Sequence, residues 1–149
     1  MKTRQSRREK DWNKGTLMKY MLDTNICIYI IKHQPENVIR KFMEQEPDDI
    51  CISAITYAEL AHGVEKSQAR EKNRIALMVL LSEIQIVPFD DLAAQVYGVV
   101  RAELQKKGTP IGPLDTLIAA HAKALNLTLV TNNTKEFAKV DGLVLDDWG

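Results

Sequence analysis

Cysteine is scarce in this sequence, and so are aromatic residues, long apolar runs and any net charge. Only Cys27 and Cys51 occur among 149 residues, each inside an apolar segment. That usage excludes a disulfide framework and fits buried thiols in a reducing compartment, so the expected location is the cytoplasm. No apolar run approaches the ~20 residues of a membrane helix, and no membrane partner is expected. The basic start is not followed by an apolar stretch, which excludes a secretory signal. No Cys/His pair has zinc-ligand spacing. The phosphate and nucleophile motifs G-x-G-x-x-G, Walker A and G-x-S-x-G are all missing.

The net charge of zero hides an asymmetry. Residues 1–17 hold six of the twenty Lys and Arg and two of the twenty acids, leaving fourteen bases against eighteen acids in the rest. The remainder does not announce nucleic-acid binding by net charge. It could still bind nucleic acid if divalent cations neutralise some of its acids. Residues 1–17 read as a basic extension without periodicity, expected to be disordered. Met18 is a candidate natural start, with the extension upstream of it. Residues 18–149 are long enough to form a single domain with its own core.

Within that domain short apolar strands alternate with helical patterns. Strands are expected at 20–22, 50–52, 84–87, 128–131 and 143–145. Thr24-Asn25 can cap a helix running through Ile31, Pro35 opens a second, and Ser53 caps a third with Tyr57, Leu60, Ala61 and Val64 at helical spacing. Further helices are expected at 70–82, from Ala93 through Leu104, and after Gly112-Pro113, where proline suits the first turn. This alternation predicts an α/β fold with a parallel sheet covered by helices on both faces.

Ligands of such sheets bind beyond the carboxyl ends of the strands. Asp23 follows the first strand. Glu59 lies nearly two turns into the third helix. Asp115 sits in the first turn after Gly112-Pro113, and Asn132-Asn133 follow "LTLVT". Each has a plainer reading alone. Asp23 and Asp115 suit helix starts, Glu59 a solvated helix face and Asn133 a turn. Thr131 is a strand-end hydroxyl that could hold a carboxylate. Together the acids describe a cluster whose repulsion a cation would relieve. Hard oxygen donors favour Mg²⁺ or Mn²⁺, and such ions support phosphodiester hydrolysis. His121, on the apolar face of its helix, reads as a packed histidine rather than an acid–base group. Lys106 and Lys107 are candidate phosphate contacts, whereas Lys66 to Arg74, interleaved with acids, reads as a solvated face.

The strings "YMLDTNICI", "CISAITYAELAHGVEKS", "KKGTPIGPLDTLIAAHA" and "LVTNNTKEF", followed by "DW", resemble PIN-domain ribonucleases, and most nearly the VapC toxins of bacterial VapBC toxin–antitoxin modules. The resemblance spans Met18 to Trp148 in family order and spacing. It implies a three-layer α/β/α sandwich around a central parallel sheet and a Mg²⁺- or Mn²⁺-dependent endoribonuclease that inhibits translation. The family's acids fall on Asp23, Glu59 and Asp115. Asp23 and Asp115 would be the principal metal ligands, with Glu59 acting directly or through a water. The position where many relatives carry a fourth acid is Asn133, which adds no charge; Glu136 could substitute. The implied partners are a cognate VapB-type antitoxin, operator DNA through that antitoxin only, and a second copy in a homodimer. The implied substrate is RNA, most readily transfer RNA, and likeness to enterobacterial-type toxins favours initiator tRNA. A metal-dependent DNA nuclease or phosphatase on the same architecture, and a catalytically silent partner-binding module, are the alternatives.

Overall fold

A computed structural model describes residues 18–149; the expected basic extension lies outside them. Five strands, β1 (Tyr20–Leu22), β2 (Ile50–Ser53), β3 (Gln85–Val87), β4 (Thr128–Val130) and β5 (Leu145–Asp146), form one sheet in the order β3-β2-β1-β4-β5. All four pairings are parallel, with Met21 opposite both Cys51 and Leu129.

Alternating side chains divide the interior into two layers. Leu22, Ile50, Ile52 and Val130 face one core, and Met21, Cys51 and Leu129 face the other. The first core is closed by α1 (Thr24–Lys32), α2 (Glu36–Glu44), α3 (Ala54–Lys66) and α4 (Arg70–Leu81), and Trp148 packs edge-on against Tyr20 within it. The second is closed by α5 (Asp91–Lys107), α6 (Pro113–Ala124) and the short α7 (Thr134–Phe137). The architecture is the expected α/β/α sandwich. Both cysteines are buried free thiols, and burial raises the Cys51 pKa to about 12. Among the described residues no helix is long and apolar enough to cross a membrane.

Local chemistry sets the helix ends. Asp90 caps α5 by accepting the Ala93 amide at 3.0 Å, and Gly108 ends it at φ 73°, a left-handed conformation that favours glycine. Two expectations need correction. The cap of α1 is Asp23 itself, and Thr24 is already helical, because the aspartate oxygen reaches the Thr24 amide. The last strand starts at Leu145 rather than Leu143, because the chain is still turning at Gly142, with φ 78°.

Candidate active site

In this strand order the chain builds outward from β1 through β2 and β3 and then crosses to β4 on the other side of β1, so a crevice opens beyond the carboxyl ends of β1 and β4. Asp23 follows β1 and Thr131 follows β4. The Asp23 amide donates to the Val130 carbonyl at 2.9 Å, which seals the rim beneath the carboxylate.

Asp23 is only 4% exposed. One carboxylate oxygen accepts the Thr24 amide at 2.6 Å and the other accepts the Thr131 hydroxyl at 2.7 Å. Thr131 in turn accepts the Asn133 amide at 2.9 Å. Burial raises the Asp23 pKa, the Thr131 and Thr24 hydrogen bonds oppose this, and the charge of Glu59 adds to the rise. The Thr24 hydroxyl donates to a Glu59 oxygen at 2.7 Å. One residue therefore orients two carboxylates, through its amide and its hydroxyl. Asp115 sits half-buried in the first turn of α6. Burial first, and then Asp23, Glu59 and Glu136, push its pKa up to about 6.

The structure thus brings Asp23, Glu59 and Asp115 together from β1, α3 and α6. Glu136, on α7, belongs to the same electrostatic group, although Lys139 lies 3.4 Å from its carboxylate. Asn133 precedes α7, is exposed, and makes no side-chain cap bond. Sequence reading missed the role of Thr24. Its place directly after the strand-end aspartate was the available signal. Lys107 pairs with Asp141, in the turn leading into β5, so it lies at the end of the sheet opposite the carboxylates. The expected solvated face holds for Arg70 and Arg74, which pair with Glu65 and Glu71, whereas Lys66 lines a cavity beside Glu59.

Would a metal ion fit here? Among the described residues no Lys or Arg forms an ion pair with Asp23, Glu59 or Asp115, so their mutual repulsion is relieved only by protons or by a bound cation. The donors are hard oxygens, which suit a hard divalent ion. Among the described residues no three His, Cys, Asp or Glu side chains are grouped closely enough to hold an ion by themselves. The electrostatically coupled carboxylates would therefore suit only an ion that keeps part of its shell as water or substrate oxygen, as Mg²⁺ commonly does.

Residues 20–143 match the PIN domain family. The chain is a PIN domain of the VapC family. It is 45% identical over 132 residues to the tRNA(fMet)-specific endonuclease VapC of Shigella flexneri, covering 89% of this chain and 99% of that protein. The DNA-bound VapBC structure from Salmonella typhimurium aligns with a TM-score of 0.85 at 44% identity, over 89% of this chain and 100% of that one. VapBC2 from Rickettsia felis, bound to a promoter DNA fragment, gives 0.83 at 44% identity, with the same two coverages. The PIN fold accounts for the crevice at the switch point.

Two supports of this PIN site can be tested directly. Thr131→Val removes the hydroxyl that holds Asp23 while keeping the side-chain volume. Divalent-ion affinity is expected to fall about 10–100-fold, as for other residues that orient a ligand. Mn²⁺ titration calorimetry reads this, with a thermal melt to confirm folding.

The second support is His121, 1% exposed. Its Nδ1 lies 2.8 Å from the Ser53 hydroxyl, its ring meets Phe89 edge-on, and it hydrogen-bonds the Pro88 backbone. Ser53 caps α3, the helix that carries Glu59. Burial lowers the His121 pKa from 6.5, only partly offset by Asp90 and the Pro88 bond. The folded state therefore resists a proton that the unfolded chain accepts, and stability falls as pH drops below 6.5. His121→Leu is expected to lose that pH dependence and to cost about 1–3 kcal/mol at pH 7, because the buried Ser53 hydroxyl keeps the Ile55 amide but loses its second partner. Urea unfolding at pH 5.5 and 7.5 measures both.

Proposed function

We propose that the chain is the toxic endoribonuclease of a toxin–antitoxin module, hydrolysing RNA phosphodiesters with Mg²⁺ or Mn²⁺ and thereby inhibiting translation. The observation that carries this reading is the convergence of Asp23, Glu59 and Asp115, without a basic partner among the described residues, at the crevice of a VapC-type PIN domain. Asp23 and Asp115 would hold the ion, with Glu59 completing the acidic pocket. Asn133 would stand on the rim with Glu136 beside it. A bound divalent ion would neutralise charge on the scissile phosphate and on the departing oxygen. The chain's part is orientation. Thr24 and Thr131 hold the two inner carboxylates in place, and the raised pKa of Asp115, about 6, reflects a repulsion that a bound cation would relieve.

Transfer RNA is the substrate class, with initiator tRNA the first candidate, following the tRNA(fMet)-specific activity for which the Shigella flexneri relative is named. A VapB-type antitoxin is the partner, operator DNA being reached through it, as supported by the DNA-bound complexes of the relatives. An apolar groove of about 290 Å³ between α1, α2 and α4, with Met43 and Val79 exposed at its edge, offers such a partner an anchor. We assign the protein to the cytoplasm and to a homodimer on the same grounds of family likeness. Brief expression in bacteria followed by mapping of new RNA 5′ ends tests the reading, with Asp23→Ala as control. New ends in tRNA only with the wild-type chain support it. Parallel assays in which DNA or phosphomonoesters are hydrolysed and RNA is spared would give the site to the alternative chemistry.

A further inference from the structure

One face of α3 carries Ile55, Ala58, Glu59, His62, Gly63 and Lys66, spaced three or four residues apart. Together with Thr24 and Ile28 of α1 and Leu114 of α6, this stripe lines a cavity of about 450 Å³ beside the carboxylates. A second cavity, of about 270 Å³, lies between α1, α3 and α4 and reaches Lys32 and Asn73. The two share Ile28, Glu59 and Gly63. They are therefore two ends of one groove that crosses α3, with Gly63 at the saddle and Glu59 at the middle.

Glycine at position 63 is not demanded by packing. It lies inside a helix, where glycine is unfavourable, and a Cβ added there would meet no atom within 4 Å. Its effect is to leave the saddle open. Lys32 stands at one end of the groove, and His62 and Lys66 at the other. Among the described residues neither lysine has an acidic partner, whereas Arg70 and Arg74 nearby are paired. A groove with cations at both ends, apolar walls and the Glu59 carboxylate at its centre matches a linear polyanion with flat apolar groups. Phosphates would meet the lysines, bases would lie against Ile28, Ile55 and Leu114, and one phosphate would rest over the acids.

We propose that this groove is the track of a single RNA strand, with Lys66 and Lys32 contacting phosphates on opposite sides of the cut and Gly63 giving the strand clearance over α3. The proposal rests on the nuclease reading and adds the path of the substrate to it. Lys66 and Lys32 are phosphate-binding residues, and Gly63 sets the clearance.

The test uses the full chain carrying Asp115→Asn, so that RNA is bound without being consumed, and unfractionated tRNA as the probe at fixed Mg²⁺. Lys66→Gln and Lys32→Gln should each weaken binding several-fold at low salt. Each should also flatten the plot of log affinity against log salt by about 0.7, the value for one phosphate contact on a single strand. Arg74→Gln, away from the groove, should leave the slope alone. Gly63→Leu should weaken binding while the melting temperature stays equal or rises, a combination that a purely structural role would not give. Unchanged slopes in both lysine variants, or full RNA affinity in Gly63→Leu, would overturn the proposal. So would a polyglutamate peptide that loses affinity in the lysine variants while tRNA does not, which would give the groove to a protein partner. Cleavage by the wild-type chain is scored separately. If it cuts RNA and the slopes do not change, the track falls and the nuclease reading stands. If it cuts no RNA and the slopes do change, the reverse holds.

Discussion

Asp115→Asn is expected to slow RNA cleavage at least about 100-fold while leaving the protein folded, because on the proposed reading it removes a carboxylate that would hold the ion, and with it several kcal/mol of charge stabilisation. Amide for carboxylate preserves shape and removes only the charge. Asp115 is the cleaner choice for this substitution because its side chain makes no cap bond at the start of α6. Asp23 also caps α1 and holds the Thr131 hydroxyl, so Asp23→Ala perturbs a helix start as well as the site. Single-turnover cleavage with a thermal melt alongside separates the two effects. Asp115→Asn is also expected to raise the melting temperature of the metal-free protein at pH 7, since it relieves the repulsion among Asp115, Asp23, Glu59 and Glu136.

Divalent-ion affinity should collapse as pH falls below about 6, where Asp115 takes up its proton. The decline approaches about tenfold per pH unit for each proton that the ion must displace. The sign for stability is the opposite. The folded pKa is raised above 3.8, so the contribution of Asp115 to the metal-free protein is complete below 3.8 and is lost as pH rises through about 6. Adding Mn²⁺ should therefore stabilise the protein strongly at pH 7.5 and little at pH 5. Glu59→Gln removes one of the charges that raise the Asp115 pKa, so the Mn²⁺ binding limb should move to lower pH. Calorimetric titration across pH 5 to 8 reads the limb, and a limb that stays in place would deny the coupling between the two carboxylates.

Much of this arrangement was legible in the sequence because it rests on local rules. Alternating side chains in three-residue strands put Met21 and Leu22 on opposite faces, and apolar segments of this kind are recognisable without a structure. Asp23, Glu59 and Asp115 stood out because each interrupts or terminates an apolar pattern near a strand end. The cap of α1 was misassigned because Asp23 and Thr24 are both good capping residues, and only the Thr131 and Glu59 contacts decide between them. Those contacts span 108 and 35 residues and leave no local trace. Lys107 was misplaced for a related reason. Sequence proximity to Asp115 does not reveal that α5 ends at the far side of the sheet, beside Asp141. The groove across α3 was invisible for the same reason, because α1, α4 and α6 all contribute walls to it.

The most direct test of the central claim is cleavage of tRNA by the wild-type chain stripped with EDTA and then given back Mg²⁺ or Mn²⁺, with Asp115→Asn treated in parallel. The account predicts no cleavage after stripping, recovery on adding either ion to the wild type, and no comparable recovery in Asp115→Asn. Undiminished cleavage by the stripped protein, or wild-type rates from Asp115→Asn, would contradict it.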